Sequence, residues 1–311
     1  VVAGGNASLS DSQREFFAND LQAQFDNLLG IANSADASGH YLFSGFQGEA
    51  QPFALTNTGT VNYVGDDGQR LLQVGSSRQI AVSDSGRDVF NNNRTGNGTF
   101  VTAASAANAL TAGTGIISAG SVVNPLALTG NNYQLQFTDA THFTVTNTTT
   151  GAVSGSLNYV PGAEITDIPG MSFSITGAPV AGNTFTVTPS VNQSVFTTIQ
   201  NLIGAFQKNI VGDPVAGADV RNTINANMLN LDQVLDNVSR VQASIGSRMH
   251  ELQGLADISS SLDIQYQEKI SKLQDLDYVE ASSRISNQQI QLEAAQKSFT
   301  KISGLSLFNF L

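Results

Sequence analysis

Three histidines are the first places to look for catalysis in this chain of 311 residues: His40, His142 and His250. The local pattern puts them in a loop, a strand and a helix, and none has the H-E-x-x-H or carboxylate spacing that gathers a metal ion. Cysteine is absent, which excludes disulfides, thiolate nucleophiles and cysteine metal sites together. "SFTK", Ser298 to Lys301, matches the S-x-x-K in which lysine activates serine, but the S-D-N and K-T-G partner motifs are missing and Phe299 falls on an apolar stripe. "GDDG", Gly65 to Gly68, has the acidic pair of a calcium loop without its third acidic position or closing glutamate, and an Asp-Gly hairpin turn is the simpler reading. N-x-S/T triplets at Asn93 and Asn147 are what so Asn- and Thr-rich a chain yields by chance. There is no phosphate loop or dinucleotide fingerprint. The sequence therefore assigns no catalytic, cofactor-binding or metal residue, and an enzyme is not expected.

Composition narrows the partners. Charged residues make up 13% of the chain, roughly half the usual quarter, and 25 acidic against 14 basic side chains leave a net charge of −11. No block of Lys or Arg offers a surface for phosphates, so neither nucleic acid nor an anionic membrane is an expected partner. No apolar run approaches the ~18 residues of a spanning helix, and no basic stretch followed by an apolar core reads as a secretory signal. The chain opens on Val1 rather than Met, just ahead of a helical pattern, and reads as a fragment or processed form.

The elements follow from periodicity. Ser10 and Gln13 stand at capping-box spacing, and Phe17, Leu21, Phe25, Leu28 and Ala32 recur every three or four residues, predicting a helix from Ser10 to about Ala37, ended by Gly39. From Tyr41 the period changes to two, in "TVNYVG", "QLQF", "FTVTN", "SFSIT" and "TFTVT", with turn residues between. Beyond Pro189 the helical pattern returns. With Leu231 as heptad position a, the a positions are Leu231, Val238, Ile245, Leu252, Ser259, Tyr266, Leu273 and Glu280. The d positions are Val234, Val241, Arg248, Leu255, Leu262, Lys269, Leu276 and Ser283. Eleven of these sixteen are apolar or aromatic, which predicts one long helix in a bundle or coiled coil.

A second stripe, Ile285, Leu292 and Phe299 with Ala281, Ala295 and Ile302, runs toward a tail that ends in Leu305, Leu307, Phe308, Phe310 and Leu311. Free termini are normally polar. Each large apolar side chain hidden from water contributes ~1.5–3 kcal/mol, so this tail calls for a partner surface.

Several segments together resemble the hook-associated protein 3 family, the hook-filament junction proteins of bacterial flagella and relatives of flagellin. They are "GHYLFSGFQGEAQPF" (Gly39 to Phe53), "VNYVGDDGQRLLQVGSSRQIAVSDSGRDVF" (Val61 to Phe90), "GNTFTVTP" (Gly182 to Pro189) and the final "LSLFNFL". Plain flagellin is a weaker match, lacking the "YLFSG" block. Family members start with a Met-initiated helical segment that this sequence does not contain.

The pattern and the resemblance together predict an α+β multidomain chain. A long antiparallel helical bundle or coiled coil comes from both chain ends, with a β-hairpin region and an inserted, sandwich-like all-β domain. Residues 1–95 supply the N-terminal helix and hairpin part of a rod, 96–189 the outer β domain, 190–279 the C-terminal rod helices, and 280–311 an inner-core segment disordered in the monomer. Leu231, Val238, Ile245, Leu252, Leu255, Leu262, Leu273 and Leu276 are the expected bundle-packing residues. Ile285, Leu292, Phe299, Ile302, Leu305, Leu307, Phe308 and Phe310 are the expected subunit contacts. The resemblance implies a secreted, extracellular flagellar protein exported by a type III apparatus. Its implied partners are flagellin, another hook-associated protein, copies of itself in a ring-like helical array, and an export chaperone on the C-terminal helices. The competing reading is an extracellular adhesin or phage-tail-like module, in which the β domain from about Asn97 to Thr188 binds a surface ligand and the helices are a stalk.

Overall fold

In a computed structural model that describes residues 9–75 and 77–304, the first helix, α1 (Asp11–Ala32), starts at the expected capping box. The Ser10 hydroxyl accepts from the Gln13 amide at 3.2 Å, and the Gln13 side chain accepts from the Ser10 amide at 2.9 Å. Phe25 and Ala32 of the apolar stripe are buried, and Phe17, Leu21 and Leu28 pack against the same core. The helix stops at Ala32 rather than near Ala37, because the Asn33 side chain imitates a strand partner. It accepts from the Phe53 amide and donates to the Phe53 carbonyl, both at 2.9 Å, and so turns the chain out of the helix.

Two hairpins follow, β1 (Phe53–Leu55) with β2 (Val61–Tyr63) and β3 (Leu71–Gln73) with β4 (Gln79–Ala81). "GDDG" lies between β2 and β3, which do not pair, so it is not the hairpin turn its sequence suggests. Asp66 instead clamps the preceding loop. Its carboxylate accepts from the amides of Phe46 at 2.9 Å and Gly68 at 2.8 Å, and these bonds to the charged form hold its carboxyl below the usual range. A π-helical turn at Arg87–Asn91 then brings Val89 and Phe90 into the helical core.

After β5 (Asn93–Arg94) the chain builds β6 (Phe100–Ala104), β7 (Ile116–Ile117), β8 (Ser121–Val122), β9 (Tyr133–Phe137) and β10 (His142–Asn147). It continues through β11 (Leu157–Asn158), β12 (Glu164–Ile165), β13 (Met171–Thr176) and β14 (Thr184–Pro189), and returns at β15 (Asn192–Gln193), which pairs with β5. One antiparallel sheet has the order β11-β10-β9-β14-β6; a second has β12-β13-β7, with β8 also on β13. Alternate residues point inward: Tyr133, Leu135 and Phe137, then Phe143 and Val145, then Phe185 and Val187. Phe173 and Ile175 of β13 join the same cluster, so the two sheets close over one apolar layer.

The remaining chain is helical: α2 (Val195–Phe206), α3 (Pro214–Gln274, 61 residues) and α4 (Tyr278–Gly304, 27 residues). α2 is apolar on most sides and correspondingly buried, with Phe196 in ring contact with Phe25, Phe53 and Phe90. Val220, Ile224 and Val234 of α3 complete this core. The predicted single helix through Glu280 is interrupted: Leu276 lies in the break between α3 and α4. Asp277 accounts for the restart, since its carboxylate accepts from the amides of Val279 at 3.0 Å and Glu280 at 3.1 Å and so caps a new helix. The chain divides between Met249 and His250 into two units.

Candidate assembly surface

α3 carries two kinds of side chain toward its surroundings. Asn222 accepts from the Ile117 amide at 2.9 Å and donates to the Gly115 carbonyl at 3.0 Å. Asn230 accepts from the Gly96 amide at 2.7 Å. Asn237 donates to the carbonyls of Asp88 and Val89, at 2.8 and 3.1 Å, and to the Asn93 side chain at 2.9 Å. Counting apolar residues misses these three, yet their spacing of eight and then seven residues puts them on one helical face and was visible in the sequence. Arg248 fills a d position where an apolar group was expected. It donates to the Ala81 carbonyl at 3.1 Å and pairs with Asp84, the two side chains being 18% and 17% exposed, and so ties the β3–β4 hairpin to α3.

The apolar seam is covered only at its start. Leu231 packs against the helical core and Leu255 is half-buried. Val238, Ile245, Leu252 and Leu262 are between 39% and 44% exposed, Leu276 is exposed, and Leu273 reaches 86%.

α4 buries no residue. Ile285, Leu292, Phe299 and Ile302 are all exposed, Phe299 at 72%. Leu305, Leu307, Phe308, Phe310 and Leu311 lie outside the described residues. In proteins most helical stability comes from packing an apolar face, and α4 leaves its apolar stripe exposed. Among the described residues no helix is long and apolar enough to cross a membrane.

Elsewhere the chemistry is structural. Among the described residues no group of three or more His, Asp or Glu is placed to hold a metal ion. His142 Nδ1, at the start of β10, lies 3.0 Å from both Asp139 carboxylate oxygens and 3.0 Å from Thr141 Oγ1. With acid and hydroxyl on the same ring nitrogen, the imidazole cannot relay a proton between them. The Thr141 amide and hydroxyl push the Asp139 carboxyl down to about 2. Arg14, 1% exposed, donates to the carbonyls of Leu9 at 3.0 Å and Lys208 at 3.1 Å and pairs with Asp11, fastening the start of α1 to the loop after α2.

The bacterial flagellin C-terminal helical region matches residues 228–311, the stretch that holds most of the seam and all of the α4 stripe. Flagellar hook-associated protein 3 of Salmonella typhimurium and of Escherichia coli are 25% and 22% identical over 308 residues, covering 99% of this chain and 69% of theirs. The crystal structure of flagellar hook-associated protein-3 from Legionella pneumophila is 30% identical, with a TM-score of 0.80 over 89% of this chain and 86% of that one. The chain belongs to the hook-associated protein 3 family. The crystal structure of FlgL from Xanthomonas campestris, 28% identical with a TM-score of 0.80 over 87% of this chain and 86% of that one, has the same fold. The segments that resemble hook-associated protein 3 are spread over the structure. Gly39 to Phe53 forms the loop clamped by Asp66, in which Phe43 meets Phe90 edge-on at 5.1 Å, and Gly182 to Pro189 contains β14, between β9 and β6.

Proposed function

We propose that this chain is a structural subunit of the bacterial flagellum, an adaptor at the junction between hook and filament that joins its neighbours through its terminal helices. The observation that carries this reading is the uncovered apolar face of α4 in a member of the hook-associated protein 3 family. Its relatives are structural proteins of the flagellum, which lies outside the cell. In this reading flagellin and another hook-associated protein flank the subunit, and copies repeat one heterologous contact in a ring-like helical array. Residues 1–95 and 190–279 form the rod, as an antiparallel bundle or coiled coil from both chain ends, and residues 96–189 face outward. Residues 280–304 line the inner core and gain lasting order on docking. An export chaperone covers the C-terminal helices beforehand, since an uncovered stripe of this kind is an aggregation hazard.

Electron microscopy of flagella from complemented strains tests this. Removing residues 96–189 is expected to spare incorporation, and removing residues 285–311 to abolish it. The opposite pattern would favour a ligand-binding outer domain on a helical stalk. Strong hydrogen-exchange protection across residues 287–304 in the dilute monomer would contradict ordering on docking.

A further inference from the structure

The insert formed by β6 to β14 and the helical body have separate apolar cores, with no residue common to the two clusters. What joins them is polar. The chain leaves and returns through a neck of two-residue strands, β5 and β15, tightened by Thr95 and Ser190. The Ser190 hydroxyl donates to the Thr95 carbonyl at 2.8 Å, and the Val191 amide donates to Thr95 Oγ1 at 3.0 Å. A neck this short would act as a swivel by itself. It is instead pinned along α3, by Asn237 to Asn93, by Asn230 to Gly96 and, beyond the neck, by Asn222 to Gly115 and Ile117 at β7. Fifteen residues of α3 separate the first and last of these points, roughly 22 Å along the helix.

Next to the Asn222 contact the insert borders open space. Thr114, Ile116 and Thr176 line an open cleft of about 860 Å³, faced by Gln13 of α1 and the loop at Ile210 to Pro214. Gly217, Ala218 and Arg221 of α3 line it too. Among the described residues, no hydrogen bond or ion pair joins the insert to α1 or to that loop across the cleft. The pose of the insert thus depends on a few amide bonds along α3, beside a cleft that no hydrogen bond or ion pair spans to α1 or to the loop after α2. Bonds of this kind are individually modest, so a small number of them can hold or release a domain.

We propose that Asn222, Asn230 and Asn237 act as a latch that holds the insert in one pose against α3, and that releasing them lets it swing about the β5–β15 neck into the cleft. The latch gives the outer domain a fixed bearing on the helix that carries the assembly seam, where a plain two-strand tether would leave it free.

Because these 311 residues include no cysteine, spin labels can be placed at will, and Glu15→Cys with Ala163→Cys sets one on α1 and one on the insert at exposed positions. Pulsed electron paramagnetic resonance should give a single narrow distance for the otherwise unaltered chain. Asn222→Ala with Asn230→Ala should add a second, shorter distance while circular dichroism is unchanged. If that double variant does not fold, Asn222→Ala alone, which touches neither core, is expected to give the same shift in smaller proportion. An unchanged single distance in a folded variant, a longer one, or a broad distribution before any latch residue is altered would each overturn the proposal.

Discussion

Replacing Arg248 by alanine should loosen one hairpin and leave the core alone. The guanidinium makes two connections to the β3–β4 region, the bond to the Ala81 carbonyl and the pair with Asp84, at a site less than a fifth exposed. The hairpin keeps other ties, the Arg70 amide to Ser83 Oγ at 2.9 Å and the Gln69 side chain to Asp84 at 3.2 Å, so it should open more often rather than detach. Hydrogen bonds to charged groups contribute about 1.5–3 kcal/mol, and losing that much raises the population of locally open hairpin by about 10- to 150-fold. Two three-residue strands have little stability of their own to resist this. Amide hydrogen exchange read by mass spectrometry over residues 70–82 measures the change, with the α2 amides of Leu202 and Ile203 as internal reference. Arg248→Lys, which keeps the charge but loses the planar fork, should fall between. The reasoning fails if the hairpin amides exchange as before, or if Leu202 and Ile203 accelerate by the same factor.

Three further expectations test separate parts of the structure. Phe185→Ala and Phe196→Ala each empty a fully buried site at a cost of about 3–5 kcal/mol, but in different clusters. Calorimetry should therefore show Phe185→Ala lowering one transition and Phe196→Ala another, and an equal effect of both on a single transition would mean that the cores melt together. The Asp139 carboxyl falls from 3.8 when unfolded to about 2 when folded, so its contribution is present above pH 3.8 and fades as the pH drops toward 2. A carboxyl titration by NMR with a midpoint at 3.8 in the folded chain would refute that. Phe299→Glu with Ile302→Glu should leave monomer melting unchanged, because both side chains are exposed, while filament incorporation measured by microscopy falls sharply; a destabilised monomer would mean that the chain itself covers them.

What the sequence announced was whatever depends on neighbours a few residues away. The Ser10 cap, the α1 stripe and the alternation in "QLQF" and "TFTVT" all follow from local periods, and the structure has each of them. What it concealed depends on partners far along the chain. Asn33 ends α1 through Phe53, Asp66 serves Phe46 rather than a turn of its own, and the α3 asparagines reach residues more than a hundred positions away. No local period records such bonds. The heptad seam stands between these cases, because its polar interruptions carry information that its leucines do not. Arg248 at a d position finds the Ala81 carbonyl and Asp84 within the chain, so the seam there still serves the subunit's own architecture. Lys269, at the polar d position three heptads on, is exposed and has no hydrogen bond or ion pair among the described residues, and the leucines around it are likewise uncovered. Between Arg248 and Lys269 the polar d positions of α3 thus change from long-range partners within the chain to none among the described residues, and beyond Arg248 side-chain bonds of α3 such as Gln253 to Asp257 are local to the helix.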